Sequence, residues 1–190
     1  MPDHTLPSPI RAAYADPPYL GLAEKFYGHL HPDAAAYDRP ETHRALIERM
    51  NDEFDCWAMS LHSPALHTIL PMCPPDVRVA AWVKPFASFK LNVTRAFAWE
   101  PVIFNFVRAR KRTREQQTWR DFVSEPITMR RGFTGAKPDA FCFWVFEGLS
   151  LEPNDEFHDL FPGSGAVTRA WEQWRDRVGV EQFSLLATGP

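Results

Sequence analysis

Apolar residues recur along the chain in short runs separated by turn-rich and amphipathic stretches, the pattern of strands alternating with helices. Residues 11–16, Arg-Ala-Ala-Tyr-Ala-Asp, predict a strand halted by Pro17-Pro18, because proline lacks an amide donor and restricts the residue before it. Residues 42–51 set Ala45, Leu46, Arg49 and Met50 in helical register, with Thr42 as an amino-terminal cap. Residues 54–61 and 77–84 are apolar runs of strand length, with a short helix over 64–70 between them. Beyond them the pattern predicts a strand over 100–107, an amphipathic segment over 138–149, a short strand over 157–161 and a helix over 165–175. Residues 178–182 predict a last strand. Such alternation implies an α/β domain whose ligands gather at the carboxyl ends of its strands.

Composition narrows the class. With 190 residues, 45% hydrophobic and 24% charged, the chain reads as one globular domain, and its 7 Trp, 4 Tyr and 15 Phe supply large side chains for a core. No uncharged apolar run approaches the roughly 18 residues of a membrane helix, and the first residues lack the form of a signal peptide. A soluble, cytoplasmic protein without a membrane partner is therefore expected. Cys56, Cys73 and Cys142 are too widely spaced for a zinc site or a disulfide framework and read as buried thiols. No histidine pair has the i, i+4 zinc spacing with a nearby acid, so no metal is expected. The stretch over 20–37, with Phe26, Tyr27, His29 and His31, is read as a surface loop with a small aromatic cluster, the alternative being a flap over a bound base.

Net charge is -3, yet residues 108–131 carry eight basic and three acidic side chains. Within them Arg108, Arg110, Lys111, Arg112 and Arg114 have the chemistry to track a phosphate backbone; a solvated surface loop is the alternative.

Two motifs carry candidate chemistry. Asp16-Pro17-Pro18-Tyr19 ends the first strand and brings a carboxylate, a rigid carbonyl and an aromatic face together. That group suits an exocyclic amine: Asp16 and the Pro17 carbonyl accept its two hydrogens while Tyr19 stacks on the ring. The second, Asp159-Leu160-Phe161-Pro162-Gly163-Ser164-Gly165, is a strand exit with glycines opening into a helix, where a ligand can approach the backbone and free amides. Either motif alone fits an ordinary turn.

Together, and in this order, they resemble the circularly permuted, beta-type S-adenosylmethionine-dependent DNA amino-methyltransferases, which act on adenine-N6 or cytosine-N4. Trp82-Val83-Lys84, Trp99-Glu100-Pro101-Val102-Ile103 and Gly135-Ala136-Lys137-Pro138 match intermediate landmarks, so the resemblance spans about residues 11–182. It implies a Rossmann-like methyltransferase fold, mostly parallel with an antiparallel final strand. It implies Asp16, Pro17, Pro18 and Tyr19 at the target amine, and Asp159, Phe161, Gly163, Ser164 and Gly165 around S-adenosyl-L-methionine. Lys137 and Pro138 would help close over the methionine moiety, and Glu181, ending the strand over 178–182, would bind the ribose. Aspartate as the first motif residue tilts the implied target toward adenine-N6, since cytosine-N4 members more often carry serine there. DNA is the implied partner, with RNA as the alternative, and the setting is bacterial or phage-encoded restriction-modification. Residues 105–134 stand as a short basic insert in place of a recognition domain, which leaves sequence specificity either low or supplied by a partner, with a homodimer as a further possibility. A non-catalytic nucleic-acid-binding subunit of the same fold is the alternative from another class.

Overall fold

The computed structural model describes residues 8–29, 32–85, 94–106, 108–111, 118–127 and 136–187, with side chains up to residue 179. Its strands are β1 (Arg11–Ala15), β2 (Cys56–Ser60), β3 (Arg78–Val83), β4 (Trp99–Asn105), β5 (Phe122–Ser124) and β6 (Glu156–Asp159). They form one sheet in the order β5-β3-β4-β2-β1-β6. β1 runs parallel to β2 and β6, and β3 parallel to β5. β4 is antiparallel to both its neighbours, β2 and β3, so every described strand except β4 points the same way. The helices are α1 (Ala23–Tyr27), α2 (Pro40–Glu53), α3 (Leu66–Ile69), α4 (Asp139–Gly148) and α5 (Ala166–Ala187).

Period-2 alternation sends each strand's side chains to two separate cores. Ala12 and Tyr14 of β1, Ala58 of β2, Trp82 of β3 and Val102 and Phe104 of β4 pack with Phe141 and Val145 of α4 and Ala170 and Trp171 of α5. Ala13, Ala15, Trp57, Met59 and Ile103, one residue out of phase, pack with Leu46, Ile47 and Met50 of α2 and Ile69 of α3. Because both faces are covered, all five residues of β2 are buried, as a central parallel strand requires.

Four expectations are revised. α2 starts at Pro40 rather than at a Thr42 cap, since proline's fixed φ suits the first helical position; the Thr42 hydroxyl instead donates to the Ala36 carbonyl at 2.7 Å. The stretch over 20–37 contains α1, whose first amides, those of Ala23 and Glu24, donate to the Asp38 carboxylate at 2.9 Å each. The basic insert supplies the edge strand β5, and Trp119 docks it on the core, donating to the Trp144 carbonyl at 3.0 Å and stacking on the Trp144 ring. The last strand is absent: residues 178–182 continue α5, so Glu181 does not end a strand. β6 is the outermost described strand on that side and four residues long, so a further strand would draw all its bonds from a short edge, whereas a helix draws them from its own chain.

Candidate active site

β1 and β6 are adjacent and parallel, with Tyr14 opposite Asp159, so Asp16 and the 159–165 turn emerge side by side. The chain leaving β1 runs on to α2, whose apolar residues lie in one core, while the chain leaving β6 enters α5 in the other. Loops that diverge from neighbouring parallel strands open a crevice at their carboxyl ends.

On the β1 side of that crevice, alternation places the polar ends of four strands on the α4 face, each two residues beyond a core residue of that face or before one. These are Asp16 after Tyr14, Ser60 after Ala58, Lys84 after Trp82 and Glu100 before Val102. Lys137, immediately before α4, reaches into the same place and is 6% exposed. Its ammonium lies 3.1 Å from Asp16 Oδ1 and 3.4 Å from Glu100 Oε2. Lys84 pairs with the other Glu100 oxygen. The Tyr19 hydroxyl has one proton to donate, to Glu100 Oε2 at 3.0 Å or to Asp16 Oδ1 at 3.4 Å. Beneath them, the Tyr14 hydroxyl and Ser60 Oγ share a hydrogen bond of 2.6 Å.

Two carboxylates and two ammoniums thus share a nearly dry site. Burial raises the Asp16 pKa, and Glu100 adds to this, while Lys137 opposes it without cancelling it. Burial would also raise Glu100, but Lys137 and Lys84 reverse that and hold its carboxyl below the usual range. For Lys137, burial disfavours the charge, yet Asp16, Tyr14 and Glu100 outweigh it and raise its pKa. Glu100 is therefore a firm carboxylate, Lys137 a firm cation, and Asp16 the carboxylate readiest to accept a proton. Among the described residues both polar partners meet Asp16 at Oδ1, and its side chain is 26% exposed, so an amine can approach from the Oδ2 side.

On the β6 side, Asp159 organises its own turn. Its Oδ1 accepts from the Phe161 amide at 3.3 Å and its Oδ2 from the Thr168 hydroxyl of α5 at 3.1 Å. Burial raises its pKa despite these bonds, and Asp16 contributes to the rise. Gly163 and Gly165 hold φ of +44° and +69°, backbone that side-chain-bearing residues avoid, and a Cβ on Gly165 would sit 3.0 Å from the Arg169 guanidinium. The chain turns sharply into a helix and keeps the backbone bare, a shape that fits a ligand with polar edges lying in the crevice.

The structure gathers Asp16, Tyr19 and Lys137 into direct contact and places Asp159, Phe161, Gly163, Ser164 and Gly165 on the neighbouring turn. Pro17 is buried, and Pro18 is half-buried. Pro138 caps α4. Lys137, assigned by resemblance to the cofactor, has its ammonium on the carboxylates of Asp16 and Glu100. Glu100, Lys84 and His62 were missed as site residues. Glu100 and Lys84 are legible in principle, as charges two residues from Val102 and Trp82 on one strand face. His62 is visible only in three dimensions, its ring parallel to Tyr19 with centroids 6.0 Å apart.

The described part of the basic run lies elsewhere. Asn105, at the end of β4, pairs with Trp57 near the start of β2, so the segment after it lies at the amino ends of the parallel strands. That end is roughly 17 Å from Asp16 along β1. There Arg110 grips Asp155 through both nitrogens at 2.8 and 2.9 Å, and Arg108 lies 3.6 Å from Asp55 and donates to the Asn51 carbonyl. Lys111 is exposed, and Arg112 and Arg114 lie outside the described residues. The cysteines are thiols, Cys56 and Cys142 buried and Cys73 half-buried; burial pushes them to about 12, 12 and 11. Among the described residues no cluster of three His, Cys, Asp or Glu is arranged to hold a metal, and no helix is long and apolar enough to cross a membrane.

A parallel sheet with one antiparallel strand set between β2 and β3, and with both motif loops at the carboxyl edge, defines a Rossmann-like methyltransferase fold. The fold is similar to that in the crystal structure of the M1.HpyAVI–SAM complex, with a TM-score of 0.57 and 15% identity over 88% of this chain and 79% of that one. A second crystal structure of M1.HpyAVI aligns with a TM-score of 0.49 and 14% identity over 88% of this chain and 77% of that chain. No protein-family model matches the chain, and neither does any curated protein.

Proposed function

We propose that the chain is an S-adenosylmethionine-dependent DNA methyltransferase of the circularly permuted type that methylates the exocyclic amine of adenine, N6. The observation that carries this reading is the adjacency of its two loops: Asp16-Pro17-Pro18-Tyr19 and the 159–165 turn leave neighbouring parallel strands, with Tyr14 opposite Asp159. Their order along the chain, amine site first, is the permuted one. The fold shared with an S-adenosylmethionine complex supports the choice of cofactor.

Bound S-adenosylmethionine would supply a methyl group on a positively charged sulfur. Asp159, Phe161 and the bare backbone of Gly163, Ser164 and Gly165 would hold it, with Pro138 closing one side. Asp16 and the Pro17 carbonyl would accept the two amine hydrogens, which turns the nitrogen lone pair toward the methyl group. As the nitrogen takes on the methyl and becomes positive, the Asp16 carboxylate stabilises that charge in a largely buried site. Its raised pKa then suits it to receive the surplus proton and release it to water. Lys137 and Glu100 keep Asp16 oriented, and Tyr19 offers its ring to a base drawn out of its stack.

With so short an insert, sequence specificity would be low or would come from a partner or a second copy. A non-catalytic nucleic-acid-binding subunit is the second reading, favoured by one observation: α5 continues where a ribose-binding strand with Glu181 was expected. Incubation with isotope-labelled S-adenosylmethionine and mixed-sequence DNA and RNA, followed by digestion and nucleoside mass analysis, tests both. Labelled N6-methyldeoxyadenosine is the expected product. Label on cytosine-N4 or in RNA corrects the substrate, and calorimetric binding of the cofactor without any label selects the non-catalytic reading.

A further inference from the structure

The Tyr19 ring does not stand alone. His62 lies parallel to it, with 1° between the planes, and Phe97 meets His62 at 4.7 Å between centroids. Tyr19 is in contact with the acid cluster, while Phe97 is 55% exposed, so two ring contacts lead from the amine site to solvent. The segment bearing Phe97 is anchored to the sheet: the Lys84 amide donates to the Ala98 carbonyl at 2.7 Å, just after β3. Arg95, two residues before Phe97, is exposed.

An exposed phenyl ring at a polar mouth, two residues along the chain from an exposed arginine and continuous with the base-holding tyrosine, is a stacking platform for bases. In a duplex with one flipped nucleotide, the neighbours of the target stay paired and stacked inside the helix, so they have no free face to lay on Phe97. An unpaired strand can lay its next base on Phe97 and its phosphate against Arg95. Resting on the function proposed above, we propose that the Tyr19–His62–Phe97 ladder binds an unpaired DNA strand, and that the substrate is single-stranded DNA or a locally melted segment.

The test is fluorescence anisotropy with a labelled 20-nucleotide DNA strand, the same sequence as a duplex and the same sequence as RNA, at fixed salt, for the parent, Phe97→Ala and Phe97→Trp. The parent is expected to bind the DNA strand at least tenfold more tightly than the duplex. Phe97→Ala should weaken strand binding about 5- to 100-fold and leave duplex binding within about twofold, and Phe97→Trp should restore the strand affinity. Phe97 is exposed and outside the strands, so the alanine variant should fold, which its circular dichroism checks. Duplex binding as tight as strand binding, an unchanged Phe97→Ala variant, or tighter binding of RNA than of DNA overturns the proposal. Methyl transfer to duplex and strand at equal rates would sink this inference and leave the methyltransferase reading standing, whereas failure to bind S-adenosylmethionine would sink that reading.

Discussion

Replacing Arg110 by alanine separates a structural guanidinium from a phosphate-binding one. The Asp155 side chain is fully buried and accepts from both Arg110 nitrogens and from the amides of Ile10, at 3.0 Å, and Glu152, at 2.6 Å. Without Arg110 this carboxylate keeps its two amide donors and loses its counter-charge, and the Ser150 carbonyl loses a donor at 2.8 Å. Breaking a buried pair by deleting one partner costs about 3–5 kcal/mol. The surviving amide bonds and the 15% exposure of the Arg110 side chain place this case at the low end, about 3 kcal/mol. At roughly 2–4 °C per kcal/mol for a domain of this size, Tm should fall by about 6–12 °C. Scanning calorimetry measures that, and a salt titration of DNA affinity, at a temperature where the variant is folded, should give the parent slope. A Tm within about 2 °C of the parent, together with a log–log salt slope lowered by about one, would refute the structural assignment.

The other predictions follow from the crevice. Asp16→Ala should abolish methyl transfer while calorimetry shows cofactor affinity within a few-fold of the parent; loss of both would contradict the separation of amine and cofactor sites. Glu100 titrates below its usual range when folded, so between the folded and unfolded values the unfolded chain binds more protons. Its contribution is present above the unfolded pKa and is lost as pH falls through the folded one. Urea midpoints of the parent should therefore drop more steeply than those of Glu100→Gln as pH falls below the ordinary carboxylate value of 4.5; parallel curves would show that the ionised Glu100 adds no stability. Gly165→Ala forces a Cβ onto a φ of +69° and against Arg169, which should destabilise the turn by about 1–2 kcal/mol and weaken cofactor binding. Unaltered calorimetric affinity would remove the turn from the cofactor site.

Much of the sheet was legible because strand and helix differ in their local period. The apolar runs of β1 to β4 and β6, the prolines halting β1 and the glycines opening α5 are local signals, and each element stands within a few residues of where the pattern places it. β5 was not legible: three residues of mixed polarity become a strand only because β3 offers an unpaired edge and Trp119 anchors the segment at Trp144. The continuation of α5 over 178–182 was equally hidden, since valines and a glycine suit an edge strand as readily, and the outcome turns on whether a long enough partner edge exists.

Covalent order supplies the inventory: two strand-terminal motifs, their order, and residue types suited to an amine and to a close backbone approach. Those follow from covalent order and local backbone preference, which need no partner. Only the tertiary structure decided which charges meet. It put Glu100, 84 positions from Asp16, on the same sheet face, turned Lys137 toward both, stacked His62 on Tyr19, and carried Arg108 and Arg110 to the opposite end of the strands. The reason is that β4 runs against its neighbours: its start lies at the carboxyl ends of the parallel strands with Asp16 and Tyr19, and its end lies at their amino ends. A charge at either tip of β4 therefore serves a different site, and only strand pairing, which acts between residues distant in sequence, settles which.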